Sequence, residues 1–148
     1  MISSIKMRHA IRAAETSRDF SCEIWQLIIA LRHAQNGHTA HLPRLFSPAL
    51  NDVKKNLLIV VAGDKGLAGS YNSNVLRAAK EYLRDHQDIE IDAITVGKKA
   101  RKINQLSRNL KIVSDYEIAS EGRMDFFQAS PITKLTIDSF LNGQYRKV

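Results

Sequence analysis

The stretch Leu57-Leu-Ile-Val-Val-Ala-Gly-Asp-Lys-Gly-Leu-Ala-Gly-Ser-Tyr-Asn-Ser-Asn-Val-Leu76 decides how this chain reads. Its first six residues are a continuous apolar run, the pattern of a strand buried on both faces. Glycines follow at 63, 66 and 69. A helical period then begins near Ser73 and places Val75, Leu76, Ala79, Tyr82 and Leu83 on one inner face. Strand, glycine-rich turn and helix together open a βαβ unit.

The unit repeats downstream. Residues 89–96 read as a second strand, with Ile89, Ile91, Ala93 or Ile94, and Val96 in the core, and Gly97 ends it. Residues 98–106 read as a short basic helix and residues 110–113 as a third strand. Ser130-Pro131 supplies a helix N-cap and a first-turn proline. That helix runs through Ile132, Leu135, Thr136, Phe140 and Leu141 to the stop Asn142-Gly143. The predicted class is α/β: a Rossmann-like parallel sheet sandwiched by helices and preceded by one long helix. Residues 144–148 begin what reads as another strand, so the α/β domain over 57–148 reads as incomplete at its C-terminus.

Upstream, residues 1–35 read as a single shaft-like helix. Met7, Ile11, Ala14, Phe20, Ile24, Leu27 and Leu31 recur at steps of three and four, with Ser17 bridging the one long step. Thirty helical residues span about 45 Å, so the helix must pack along another or project. Ile24, Leu27, Ile28 and Leu31 predict self-association or packing onto the sheet. Glu15, Asp19 and Glu23 argue against a targeting peptide, which is poor in acid. Asn36-Gly37, Pro43, Ser47-Pro48 and Asn51-Asp52 mark 36–56 as a linker.

Composition bounds the function. In 148 residues, 44% are apolar and 25% charged, which excludes collagenous and disordered classes. The single Cys22 excludes an intrachain disulfide and a thiolate zinc cluster. No apolar run approaches the ~20 residues that cross a bilayer. The formal charge of +7 is concentrated between Asp92 and Asp115, where Lys98, Lys99, Arg101, Lys102, Arg108 and Lys111 meet no acid. This run is either a patch for acidic partners or a solvated face. Aromatic residues do not interleave it as single-stranded nucleic acid requires, so no nucleic acid is expected.

The glycine-rich turn offers Gly63, Lys65, Gly66, Gly69 and Ser70 as candidates for a phosphate or nucleotide. A nucleotide-hydrolase loop would place lysine between Gly69 and a hydroxyl residue, and a dinucleotide fingerprint would need glycine at 65, where Lys65 stands. The second strand ends Thr95-Val-Gly-Lys-Lys99, with no acid for ribose hydroxyls. A structural turn or protein-contact loop is therefore expected, with no cofactor. Asp64 reads as a base or as an acceptor of N–H groups in its own turn. His33, His38 and His41 form only a loose group without a cysteine, so no metal is expected, and Cys22 reads as inert. No catalytic constellation emerges, which points to an interaction or transmission role.

The same residues resemble the gamma subunit of F-type ATP synthases, the central rotor shaft. The family reads a hydrophobic strand, Ser or Thr, Asp, Lys or Arg, Gly-Leu-Cys-Gly, one free position, then Phe or Tyr and Asn. The match covers Asp64, Lys65, Gly66, Leu67, Gly69, Tyr71, Asn72 and Asn74, with Gly63 replacing the hydroxyl and Ala68 the cysteine. Thr95-Val-Gly-Lys-Lys99 and residues 138–148 resemble later family segments, and Ser4-Ile-Lys6, Ile11-Arg12 and Leu31-Arg-His-Ala-Gln35 resemble the first shaft helix. The resemblance implies a noncatalytic, truncated or divergent central-stalk subunit lacking the C-terminal helix. It would couple rotation in a proton-transporting synthase to ATP synthesis or hydrolysis. Implied partners are the nucleotide-binding alpha and beta ring subunits, an epsilon-type subunit and the membrane rotor ring. Implied contact residues are Lys6, Arg12, Arg18, Asp64, Lys65, Tyr71, Asn72, Lys98 and Lys99. The implied location is the cytoplasmic face of a bacterial inner membrane, or the cytoplasm when unassembled, with mitochondrial and plastid settings open.

Overall fold

The computed structural model describes residues 2–34 (side chains at 5, 7–31 and 33), 45, 52–66, 68–107, 110–118 and 126–148. The chain divides into two compact units, Met1–Ser47 and Pro48–Val148.

The first unit holds α1, Ile2–Ala34. No glycine or proline interrupts it, so every interior residue can join the i→i−4 ladder. Where the apolar period skips, hydroxyl side chains fold back onto the helix itself: Thr16 donates to the Arg12 carbonyl (3.0 Å), Ser17 to Ala13 (2.7 Å) and Ser21 to Ser17 (2.7 Å). Met7, Ile11, Phe20, Trp25, Leu27 and Leu31 are all exposed, and Ile28 is half-buried.

The second unit has a mixed α/β fold. Strands β1 (Lys55–Val61), β2 (Glu90–Val96) and β3 (Leu110–Tyr116) form a three-stranded parallel sheet in that spatial order. Helix α2 (Tyr71–Asp85) starts two residues earlier than the sequence predicted, and the basic segment is a 3-10 helix at Ala100–Gln105. Val60, Ala62, Ile91, Ala93 and Leu110 line one sheet face, with Ala79 of α2 and Ala100 and Ile103 of the 3-10 helix. The predicted inner face of α2 packs there as read. Leu57, Ile94 and Val96 line the other face with Ile132 of α3 (Phe126–Leu141) and Tyr145. Ala93 and Ile94 are therefore both core residues, one on each side of the central strand. The register slips between them, leaving Val113 of β3 unpaired as a bulge residue. Three strands are fewer than a full dinucleotide-binding sheet carries.

The start of α3 differs from expectation. Ser130 is no N-cap, because the helix begins at Phe126 and holds Pro131 inside it. Pro131 lies just past the first turn, where it lacks the N–H that would bond the Phe127 carbonyl and its ring crowds that same carbonyl. The far end closes as predicted. Gly143 takes φ 72°, its N–H donates to Phe140 (3.0 Å), and the Gln144 N–H donates to Ser139 (3.0 Å). Those two bonds are the Schellman pattern. The chain then runs along the outer edge of β1, where Arg146 donates to the Lys55 carbonyl (2.7 Å) and Leu57 to the Lys147 carbonyl (2.9 Å).

Candidate functional site: the turns at the strand ends

Gly63 to Ser70 leaves β1 beside the turn that leaves β2, and hydrogen bonds join the two. Ala62 N–H donates to the Val96 carbonyl (2.9 Å), and Lys99 N–H donates to the Gly63 carbonyl (3.0 Å). The Asp64 carboxylate accepts the Lys98 N–H at 2.8 Å. Among the described residues Asp64 thus serves the neighbouring turn, because the parallel register brings Val61 and Val96 level. Gly97 makes this approach possible. It has φ +89°, and a Cβ there would stand 2.0 Å from the Ala62 carbonyl oxygen.

Asn72, in the first turn of α2, closes the loop from behind. Its Oδ1 accepts the Gly63 N–H (2.9 Å), and its Nδ2 donates to the Lys65 carbonyl (3.3 Å). Tyr71 donates its hydroxyl to the Val61 carbonyl (3.3 Å). At the helix start, the Asn74 N–H donates to the Ser70 carbonyl (2.8 Å). The backbone donors of Gly63, Lys98 and Lys99, nearest the strand ends where a phosphate would sit, are thus engaged internally. The Asp64 carboxylate stands among them and opposes an anion. Cavities of about 390 and 430 Å³ lie elsewhere, one by Arg84, His86 and Leu106, the other by Leu58, Tyr82 and Val148.

The loop's tip is different. Lys65, Gly66, Gly69 and Ser70 are exposed. Gly69 takes φ +55°, which favours glycine. Gly66 has no such requirement: nothing lies within 4 Å of where its Cβ would be. Leu67 lies outside the described residues.

The basic run is partly answered by acids that follow it. Arg101 donates through Nε to Asp115 (2.6 Å) and through Nη2 to Glu117 (2.7 Å), and Lys98 Nζ lies 3.4 Å from Glu117. These bonds, Glu117 first and Asp115 second, raise the Arg101 pKa above its ordinary value. Thr95 also donates to Asp115, at 2.5 Å. Lys102 and Lys111 are exposed and Lys99 is half-buried, while Arg108 lies outside the described residues. The sequence reading missed Asp115 and Glu117 as partners, although their i, i+2 spacing leaving β3 puts both on one side.

A buried polar cluster was missed too. Tyr145 donates to Asp92 (2.8 Å), which also pairs with Lys55 (3.0 Å). Burial first, then the hydrogen bond to Asp92, pushes the Tyr145 pKa up to about 12. Of the shaft candidates, Arg12 and Arg18 are exposed on α1, and the Lys6 side chain lies outside the described residues. Cys22 is exposed. His38 and His41 lie outside the described residues, and among the described residues no group of three metal-ligating side chains forms. Among the same residues no helix is long and apolar enough to cross a membrane.

A sequence profile described as ATP synthase matches residues 1–148. The chain belongs to the ATP synthase gamma-chain family. This gamma-family chain is 28% identical to the ATP synthase gamma chain of Parvibaculum lavamentivorans, over 98% of its own length and 49% of the relative's. It is 30% identical to the sodium ion specific gamma chain of Acetobacterium woodii, over 100% and 46% respectively. The gamma chain of Paracoccus denitrificans gives 30%, over 98% and 50%. The chain spans about half the length of these relatives. A chain in a cryo-EM structure of the Euglena gracilis mitochondrial ATP synthase (OSCP/F1/c-ring, rotational state 3) superposes with TM-score 0.46 and 16% identity, over 88% of this chain and 46% of that one.

Proposed function

We propose that the chain works as a noncatalytic central-stalk subunit of a proton-transporting ATP synthase, coupling rotation to ATP synthesis or hydrolysis. The observation that carries this reading is how the family's fingerprint residues are used. Asp64, Tyr71 and Asn72 bind the two turns into one clasp, rather than forming a pocket for a small molecule. What remains available to act is surface: α1 and the Lys65-Gly66 tip.

In this reading residues 1–35 form the shaft element, 36–56 the connection and 57–148 a Rossmann-like docking domain. The doubly covered sheet, with Tyr145–Val148 extending it beyond β1, supports that description of the domain. Lys6, Arg12 and Arg18 face the ring of alpha and beta subunits. Lys65, Lys98 and Lys99 meet the epsilon-type subunit and the membrane rotor ring, and the glycine at 66 lets a partner backbone approach closely. Asp64, Tyr71 and Asn72 contribute by holding that tip in place. The assembled location is peripheral, on the cytoplasmic face of a bacterial inner membrane, or the equivalent organellar face.

The test is co-expression with alpha and beta ring subunits from the same organism, followed by isolation of the nucleotide-binding ring. The chain should co-purify with the ring, and Arg12→Glu with Arg18→Glu should release it. A chain that leaves the ring where a full-length gamma subunit is retained sinks the proposal. Calorimetry with ATP and NADP reads the rival use of Gly63 to Ser70, and a heat of binding lost in Lys65→Ala would overturn the clasp-only role.

A further inference from the structure

The cavity of about 390 Å³ beside Arg84 and His86 has a lining that sorts by chemistry. It lies where β2 and β3 begin, at the opposite ends of the strands from the clasp. Ile91 and Leu110, register partners on those two strands, are buried and floor it. Leu83 of α2 and Leu106, just after the 3-10 helix, are half-buried and add apolar walls. The charged lining is cationic: Lys80 and Arg84 of α2, with His86 at its C-cap. Among the described residues no carboxylate lines the cavity.

We infer that this cavity binds a small amphiphilic anion, an apolar body carrying one carboxylate at its end. Its volume falls at the low end of the roughly 300–1,000 Å³ of small-molecule sites, which share its mix of apolar lining and a few convergent polar groups. The apolar lining takes the body, and Lys80 and Arg84, both exposed, take the charge at the rim. The helix dipole does not account for all of this positive charge. It attracts cations within the last turn, which covers Arg84 and His86. Lys80 stands more than a turn before the helix end at Asp85, and it forms no ion pair among the described residues.

The polar wall is set before any ligand arrives. His86 Nδ1 lies 2.9 Å from the Tyr82 carbonyl, which can only accept, so Nδ1 donates. The His86 ring stacks on the Tyr82 ring with centroids 4.2 Å apart, and the Tyr82 hydroxyl accepts Asn56 Nδ2 at 3.0 Å. Asn56 is buried in the same register row as Ile91 and Leu110. The row that floors the cavity therefore also anchors its wall, and His86 has little freedom left to lose on binding. Arg84 gives its Nε to Asp85 at 3.1 Å, an exposed pair that leaves the rest of the guanidinium for an anion. The clasp residues take no part in this site, so it stands apart from the stalk reading.

The probes are straight-chain carboxylates added to the intact chain below their micelle concentrations, with NMR amide shifts locating the site. Decanoate should bind saturably and shift the amides of Leu83, Ile91 and Leu106, and the absence of saturable shifts there overturns the inference. Octanoate and hexanoate should shift the same amides with affinity falling about fourfold per methylene removed. Lys80→Gln with Arg84→Gln should weaken decanoate by about tenfold or more at an unchanged urea midpoint, and Lys80→Arg should retain it. Decanol binding as tightly as decanoate would reduce the site to an apolar surface and overturn the inference. Inorganic phosphate binding as tightly would reduce it to a cationic patch, with the same result. Decanoate that shifts only α1, whose exposed apolar side chains are the competing surface, overturns it too. So does an acidic leucine-rich peptide that binds where decanoate does not. None of these outcomes alters ring co-purification, so the stalk reading stands or falls separately.

Discussion

Phe20 and Ile94 are both large apolar residues inside regular elements, yet Phe20 is 66% exposed and Ile94 is fully buried. The difference runs through their whole regions. Along β2, every residue from Ile91 to Val96 is buried, because helices cover both sheet faces and β1 and β3 cover both edges. Along α1, almost every described side chain is exposed. A helix satisfies its backbone within its own segment, so α1 needs no neighbour to hold its hydrogen bonds. A parallel strand satisfies none of its own, so β2 exists only with its partners. The sheet unit is therefore where stability resides, and α1 is where apolar surface is presented.

The sharpest way to break that contrast is at Gly97. Gly97→Ala drives a Cβ into the Ala62 carbonyl, which lies between the hydrogen-bonded Ala62 N–H and Gly63 carbonyl, and forces alanine to positive φ. A loss of about 4 kcal/mol or more is expected, enough to unfold the unit. The four tyrosines at 71, 82, 116 and 145 report on the sheet unit, and the single Trp25 reports on α1. Cooperative unfolding followed by tyrosine should vanish while the helical circular dichroism of α1 persists.

The next comparison is direct. Ile94→Ala should cost the tyrosine-detected transition about 2–5 kcal/mol, through lost burial and a cavity against Ile132 and Leu57. Phe20→Ala should leave the same transition within about 0.5 kcal/mol, because its side chain is exposed. Equal effects in urea unfolding would erase the distinction between the two regions.

What was legible in the sequence follows the same division. The long helix α1, the inner face of α2 and the apolar strands are local periodicities, and they reappear in the structure with bounds moved by up to three residues. The misses are long-range or marginal. Asp64 and its Lys98 donor are 34 residues apart, and Arg101 and Glu117 are 16 apart. Nothing in local pattern links them until parallel register sets them level. Gly97 read as a strand terminator, whereas its decisive property is the close passage of Ala62. Ser130-Pro131 read as a helix start because that pair is favoured there, yet α3 begins at Phe126 and holds the proline about one turn in. For the fingerprint loop, sequence located the site and the structure supplied the use: three of its polar residues hold turns together.

That use is testable at smaller amplitude. Asn72→Ala leaves the Gly63 N–H and the Lys65 carbonyl without their partner. The expected cost is about 1–3 kcal/mol, read as a lower urea midpoint by tyrosine fluorescence with Trp25 unaffected. Asn72→Asp keeps the acceptor for Gly63 and should recover part of it. An unchanged midpoint in Asn72→Ala would mean the loop holds itself and the clasp adds nothing.

The smallest effect is silent at neutral pH and appears only in alkali. Tyr145 is buried against Asp92, and its pKa rises from 10.0 to about 12. Between those two values the unfolded chain releases the phenolic proton while the folded chain keeps it. The unfolded state then binds fewer protons, and stability falls as pH rises. The contribution is complete below pH 10.0 and is lost as pH climbs toward about 12. Lysines titrate in the same window, so the readout is the difference between the native chain and Tyr145→Phe. The native chain should lose midpoint more steeply from pH 10 to 12, and Asp92 in the variant keeps its Lys55 partner. Parallel slopes would show that the Tyr145 hydroxyl is solvated rather than buried, and would loosen the segment that extends the sheet beyond β1.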